Sequence, residues 1–224
     1  PTGLRATRWT AASALRAKHA RGLLAGLTAG LLACAGMQPH VTQAAESAPV
    51  VSPYSTASLI TDTSTASAGT PLHVALRLQL KPGWHTYWIN PGDAGDPATI
   101  AVTASGALQG SAQTITWPTP QRIRDASLMS YAYTGDVVLP LTLQLRPGTP
   151  DEAHRLTTLS AQASWLVCEQ SCIPEDATFS LTLPTGAPLA SAQADLFVQA
   201  ARNTPQPSPY PVTLSPPAVL HVQA

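Results

Sequence analysis

Apolar and polar residues alternate with period two along much of this chain. Leu72, Val74, Leu76, Leu78 and Leu80 are separated by His73, Ala75, Arg77 and Gln79. Val137, Leu139, Leu141, Leu143 and Leu145 repeat the pattern around Pro140. Ala161, Ala163, Trp165 and Val167 share one face of a strand that leads to Cys168, and Phe179, Leu181 and Leu183 share a face just after it. Alternation of this kind buries one face and wets the other, as in antiparallel sheets. Shorter strands are predicted over 57–62, 84–89, 98–104 and 113–117. Turn clusters lie between them: Lys81-Pro82-Gly83, Asn90-Pro91-Gly92-Asp93, Tyr133-Thr134-Gly135-Asp136 and Arg146-Pro147-Gly148. About eight strands at this spacing predict an all-β fold, an immunoglobulin-like antiparallel β-sandwich. Pro140 has no N–H to give a ladder, which suits an edge or a bulge better than a central position.

The two ends read differently. Residues 4–21 carry Arg5, Arg8, Arg16, Lys18 and Arg21 and no acid, residues 22–37 are apolar, and small residues stand at Thr42 and Ala44. Basic, apolar, then small is the order of a secretory signal peptide, predicted over 1–44 with cleavage after Ala44. Leu31-Leu32-Ala33-Cys34 is also a loose lipobox, and an uncleaved anchor is a third possibility. A flexible lead-in is expected over 45–54 and the sandwich domain over 55–186. Beyond it, 190–203 has the best helical pattern, with Leu196, Phe197 and Ala200 on one side, and 204–217 is a Pro-rich linker. Two further strand starts follow, at 211–214 and 218–222. The sequence begins with Pro1, and the expectation is a fragment that stops inside or just before a second module.

Twelve Lys and Arg balance twelve Asp and Glu among 224 residues. A neutral, sparsely charged chain argues against a nucleic-acid or anionic-membrane surface. No phosphate-loop, dinucleotide or Ser-His-Asp pattern stands out. Asp93 and Asp96 are too few oxygen ligands in register for calcium, which leaves a solvated turn.

Of the three cysteines, only Cys168 and Cys172 lie outside the leader. Four residues of extended strand span roughly 13 Å, whereas a disulfide needs Cα atoms about 4.4–6.8 Å apart. Joining the pair therefore requires a tight turn at Glu169-Gln170-Ser171. The loop so closed has about five residues and an entropic worth of roughly 2 kcal/mol, low for a staple. Structural bridging and thiol–disulfide exchange both fit. A metal site, copper-handling for example, would need ligands beyond two thiolates. No cofactor is implied. Glu169, Glu175 and Asp176 surround the pair in sequence, and negative neighbours disfavour a thiolate. Trp84, His85, Tyr87 and Trp88 should split onto two faces, the tryptophans together, either as core or as an aromatic wall around the cysteines.

Four segments bear a family resemblance. They are Pro82-Gly83-Trp84-His85-Thr86-Tyr87-Trp88-Ile89-Asn90-Pro91-Gly92-Asp93; Trp117-Pro118-Thr119-Pro120; Tyr131-Ala132-Tyr133-Thr134-Gly135-Asp136-Val137-Val138-Leu139-Pro140; and Trp165-Leu166-Val167-Cys168-Glu169-Gln170-Ser171-Cys172-Ile173-Pro174-Glu175. Together they resemble the N-terminal periplasmic domain of the DsbD family of thiol:disulfide interchange proteins, most closely its ScsB-like branch. Only three residues separate the cysteines here, fewer than in the better-known branch. The resemblance implies an immunoglobulin-like domain that relays electrons, as part of an inner-membrane protein, from a membrane-embedded reductase domain of the same full-length protein to periplasmic thioredoxin-fold partners. Those partners are disulfide isomerases or cytochrome c maturation thioredoxins. It implies that Cys172 attacks the partner disulfide and Cys168 resolves the mixed disulfide. It also implies a shielding loop near 124–129, so that Asp125, Leu128, Met129, Tyr131 and Tyr133 become candidate cap or docking residues.

Overall fold

The computed structural model describes residues 45–112, 114–125, 127–146, 155–207, 209–216 and 219–222. The expected leader, Cys34 and the Pro147-Gly148 turn fall outside them. Thirteen strands and one helix are described. The strands are β1 (Val50–Val51), β2 (Ser55–Thr61), β3 (Leu72–Leu80), β4 (His85–Gly92), β5 (Thr99–Gly106), β6 (Gly110–Ala112), β7 (Gln121–Asp125), β8 (Leu128–Thr134), β9 (Asp136–Leu145), β10 (Leu156–Cys168), β11 (Cys172–Pro184), β12 (Val212–Ser215) and β13 (Val219–Val222). The helix, α1 (Ala194–Arg202), precedes the last two. The fold is all-β, as the alternation predicted, and every ladder is antiparallel.

The strands follow one hydrogen-bonded path, β1-β2-β3-β9-β6-β5-β10-β4-β8-β7, with β11 on the other edge of β10. The path folds over so that the apolar rows of β2, β3 and β9 meet those of β5, β10 and β11 in one core. Leu59, Leu76 and Leu139 stand side by side in register across β2, β3 and β9 and are wholly buried. Period-two alternation gives each strand a single apolar face, and two such faces can be covered only by each other.

Residues 45–51, expected as a flexible lead-in, hydrogen-bond along β2: Ser47 N–H donates to Leu59 O and Thr61 N–H to Ala45 O, and β1 pairs with Ala57 and Thr56. Of the strand expected over 113–117, the described residues 114–117 form none. β6 lies earlier, and Thr116 instead donates its N–H to Pro140 O at 2.7 Å. This explains how Pro140 is tolerated. β9 has neighbours on both sides, but β6 reaches only Leu143–Leu145, so beside Pro140 the ladder is already open. The Asn90-Pro91-Gly92 turn is absorbed into β4 as an irregularity between Tyr87 and Gly92.

The helix is shorter than the 190–203 pattern. It carries Asp195 in its first turn and Arg202 in its last, each favourable to the helix dipole, and it buries Ala200. Near the strand starts expected at 211–214 and 218–222, β12 and β13 pair with each other as a separate two-stranded sheet. No helix among the described residues is long and apolar enough to cross a membrane.

Candidate redox site at the end of the β10–β11 hairpin

β10 and β11 form a ladder of thirteen residue pairs that ends at Cys168 opposite Cys172. Glu169-Gln170-Ser171 makes the tight turn the spacing required, with Glu169 N–H donating to Ser171 O at 3.3 Å. The two sulfurs are bonded, and the Cα atoms lie 4.2 Å apart.

Strand parity decides what surrounds the bridge. Trp165 and Val167 point into the main core, so Cys168 points to the other face of β10. There it joins Tyr87 and Ala132 in a small second cluster, with Ile123 and Leu166 packed against it. Cys168 is 2% exposed, whereas Cys172 is exposed. One sulfur is thus sealed beneath the hairpin and the other stands at its rim.

β4 meets β10 in a single register pair, His85 opposite Cys168. The next residue on that face of β4 is Tyr87. Its hydroxyl lies 3.6 Å from Cys172 Sγ and 3.3 Å from His85 Nε2. The two rings meet edge to face, 5.2 Å apart. Both side chains are buried, His85 at 8% and Tyr87 at 3%. Gly95 keeps the tyrosine in place: its φ is +100°, and a Cβ there would collide with the Tyr87 ring. The tryptophans of the same segment turn the other way, and Trp84 and Trp88 pack against the main core. The aromatic wall beside the cysteines therefore consists of His85 and Tyr87.

The expected shielding loop is a β-hairpin. β7 and β8 pair from Gln121 opposite Ala132 to Asp125 opposite Leu128. Its contribution to the cysteine cluster is Ile123, which stands between two arginines, and Ala132, which stands between two tyrosines. By register, Leu128 occupies the same face as Ala132, at the tip, and is 44% exposed. Met129, Tyr131 and Tyr133 fall on the opposite face. Met129 is clamped through its backbone: Asp93 Oδ2 accepts its N–H at 2.8 Å, and its carbonyl accepts Asp93 N–H at 3.0 Å. Tyr131 sits edge-on to Trp88. Tyr133 packs in the main core and donates its hydroxyl to Pro118 O at 2.7 Å, and burial raises its pKa above the usual phenol range. Asp93, expected as a solvated turn residue, thus holds the hairpin.

Behind the bridge, Glu175 Oε2 accepts from Ser55 Oγ at 2.6 Å and from Trp165 Nε1 at 2.8 Å, joining β2, β10 and β11. Ser55 and Trp165 are buried. Glu175→Ala strands both donors, and the domain should lose about 1–3 kcal/mol. A shifted denaturant midpoint at unchanged slope is the expected result, and an unshifted midpoint would show that water replaces the carboxylate. Among the described residues, no three His, Cys, Asp or Glu side chains gather as a metal site would require.

Residues 56–184 match the family described as thiol:disulfide interchange protein DsbD, N-terminal. Among solved structures, the N-terminal periplasmic domain of ScsB from Proteus mirabilis is similar, at a TM-score of 0.55 and 24% sequence identity. The match covers 73% of this chain and 61% of that one, so this chain spans less than two thirds of its length. At such identity the likeness is one of fold. No curated protein matches the chain.

Proposed function

Because this chain belongs to the family of the N-terminal domain of the thiol:disulfide interchange protein DsbD, we propose that it exchanges electrons with thioredoxin-fold proteins of the periplasm through Cys168 and Cys172. The observation that carries this is the unequal placement of the two sulfurs in one bridge. An exposed Cys172 can meet a second protein, and a buried Cys168 stays within reach of Cys172 alone. In the reduced domain, the Cys172 thiolate attacks a sulfur of the partner disulfide. A mixed disulfide forms and the partner's second sulfur leaves as a thiolate. Cys168 then attacks Cys172 Sγ, the partner departs as a dithiol, and the Cys168–Cys172 bridge is restored. A membrane-embedded reductase domain of the same full-length protein would return the pair to its dithiol state. Leu128, at the hairpin tip on the face of the bridge, is the docking candidate that this geometry favours, and Asp125 is its register partner on β7.

The rival use, a structural staple, fits poorly with where the bridge sits. A thirteen-rung hairpin already holds these strands together, and a loop this short adds only roughly 2 kcal/mol. Trapping separates the two. Cys168→Ser leaves a thiol at Cys172 with no resolver, so mixing it with an oxidised thioredoxin-fold protein should yield a covalent complex that a reductant dissolves. A folded Cys168→Ser domain that captures no such protein overturns the exchange reading.

A further inference from the structure

The charged residues nearest Cys172 along the hairpin sequence are all acidic. Glu169 lies in the turn, with its Oε1 over Gly83, and Glu175 and Asp176 follow on β11. Negative charge holds a thiol protonated, yet exchange requires the thiolate. Something must take the proton. The structure offers a line of three groups: Cys172 Sγ, Tyr87 Oη at 3.6 Å, and His85 Nε2 a further 3.3 Å on.

We infer that His85 accepts the Cys172 proton through the hydroxyl of Tyr87. This rests on Cys172 being the exchanging thiol. In the reduced domain, Cys172 S–H donates to Tyr87 Oη, and Tyr87 O–H donates to His85 Nε2. The sulfur gives its proton to the phenol oxygen while the phenol proton passes to the imidazole. The products are a thiolate and an imidazolium, with Tyr87 neutral between them and both hydrogen bonds reversed in direction. No external acid or base is needed, and the proton can return to the departing thiolate when the bridge re-forms.

Three features suit the groups to these parts. A neutral imidazole accepts a proton at the ring nitrogen that carries none. The phenol is too weak an acid to ionise near neutral pH, so it transmits the proton without keeping it. Gly95 and the edge-to-face contact with His85 fix the hydroxyl between sulfur and nitrogen. The 3.3 and 3.6 Å separations are those of a resting, oxidised site, and such contacts shorten when the reacting state forms. Several elements pack around His85. β10 contributes Cys168 and β8 contributes Thr134, its register partners. The turn before it carries Lys81 and the hairpin turn Glu169, and β7 ends at Asp125. His85 never touches the partner disulfide. It positions and stores a proton, while Tyr87 is the residue in contact with the reacting sulfur.

The test follows the imidazole itself. The His85 ring protons are titrated by NMR in the oxidised and the reduced domain. A thiolate one hydroxyl away favours the imidazolium, so the midpoint should rise on reduction, and Tyr87→Phe should remove that difference. In parallel, iodoacetamide alkylation of Cys172 in the reduced domain is followed against pH. Tyr87→Phe and His85→Gln should each slow it about tenfold near pH 7, equivalent to one pKa unit, and the double variant should be no slower than either single one. A His85 midpoint that ignores the redox state overturns the inference without any variant, as would losses that simply add. Should proton coupling fail while Cys168→Ser still captures a partner, the exchange function stands alone. Intact coupling without capture would overturn that function instead.

Discussion

Cys172→Ala should reduce electron delivery to an oxidised thioredoxin-fold protein to the level of buffer alone. In a single-turnover mixture of pre-reduced domain and partner, no mixed disulfide should appear. The remaining thiol, Cys168, is 2% exposed and packed between Tyr87, Ala132 and Leu166. A partner disulfide cannot approach it along the line that sulfur attack requires without opening that cluster. Cys168→Ala should behave differently: it consumes one partner disulfide and then stalls as a covalent complex. Neither change should unfold the domain, because the bridge closes so short a loop that its absence costs roughly 2 kcal/mol. A Cys172→Ala domain that reduces its partner at the wild-type rate would assign the attack to Cys168 and reverse the proposed order.

Leu76→Ala should be among the most destabilising single truncations in the core. Leu76 is central to β3, between Leu59 on β2 and Leu139 on β9, and all three are wholly buried. A leucine-to-alanine change in a core costs about 2–5 kcal/mol, the larger values arising where the surroundings cannot collapse into the space. Here the flanking backbones are tied by ladders on both sides, so the upper half of that range, about 4 kcal/mol, is expected. A domain of this size would melt roughly 10 °C lower. The measurement is a denaturant or thermal unfolding curve, and a loss under about 1.5 kcal/mol would mean that the leucine row repacks. The exchange chemistry of the folded fraction should be unaffected, since the row is separate from the cysteine cluster.

What the sequence made legible followed from how strongly one face was marked. β3 and β9 alternate closely, with Ala75, Val138 and Pro140 as the exceptions, and both were readable to within a residue. β10 was readable from Ala161 to Val167, but the strand begins at Leu156 and β11 runs from Cys172 to Pro184. Their outer thirds alternate less cleanly, so only the register shows them as a thirteen-rung hairpin. β7 and β8 were the main omission. Ile123 is a lone apolar residue among Gln121, Arg122 and Arg124, and Tyr131, Ala132 and Tyr133 are apolar without alternation, because β8 buries residues on both faces. A strand wedged between two clusters has no period-two signal to give.

The site shows the same limit. Spacing revealed the cysteine pair and its tight turn, and compartment suggested a use for it. Which sulfur is exposed depends on whether the strand carries Trp165 and Val167 inward, and the neighbours of the bridge come from β4, β7 and β8, far away in sequence. The expected list of docking residues mixed both faces of β8. Only Leu128, with Asp125 across from it, shares the face of the bridge, while Met129, Tyr131 and Tyr133 brace the other side.

The ribbon of β4, β8 and β7 joins the rest of the sheet at one rung, His85 opposite Cys168. That joint separates two selective pressures. Residues on β2, β3, β9 and β11 answer to folding, and a poor change there is felt by the whole domain. Residues at the tip of the ribbon answer to whatever protein meets the exposed sulfur. Such a layout lets a lineage retune its choice of partner by mutating the tip of the ribbon while leaving the machinery that keeps the domain folded almost untouched.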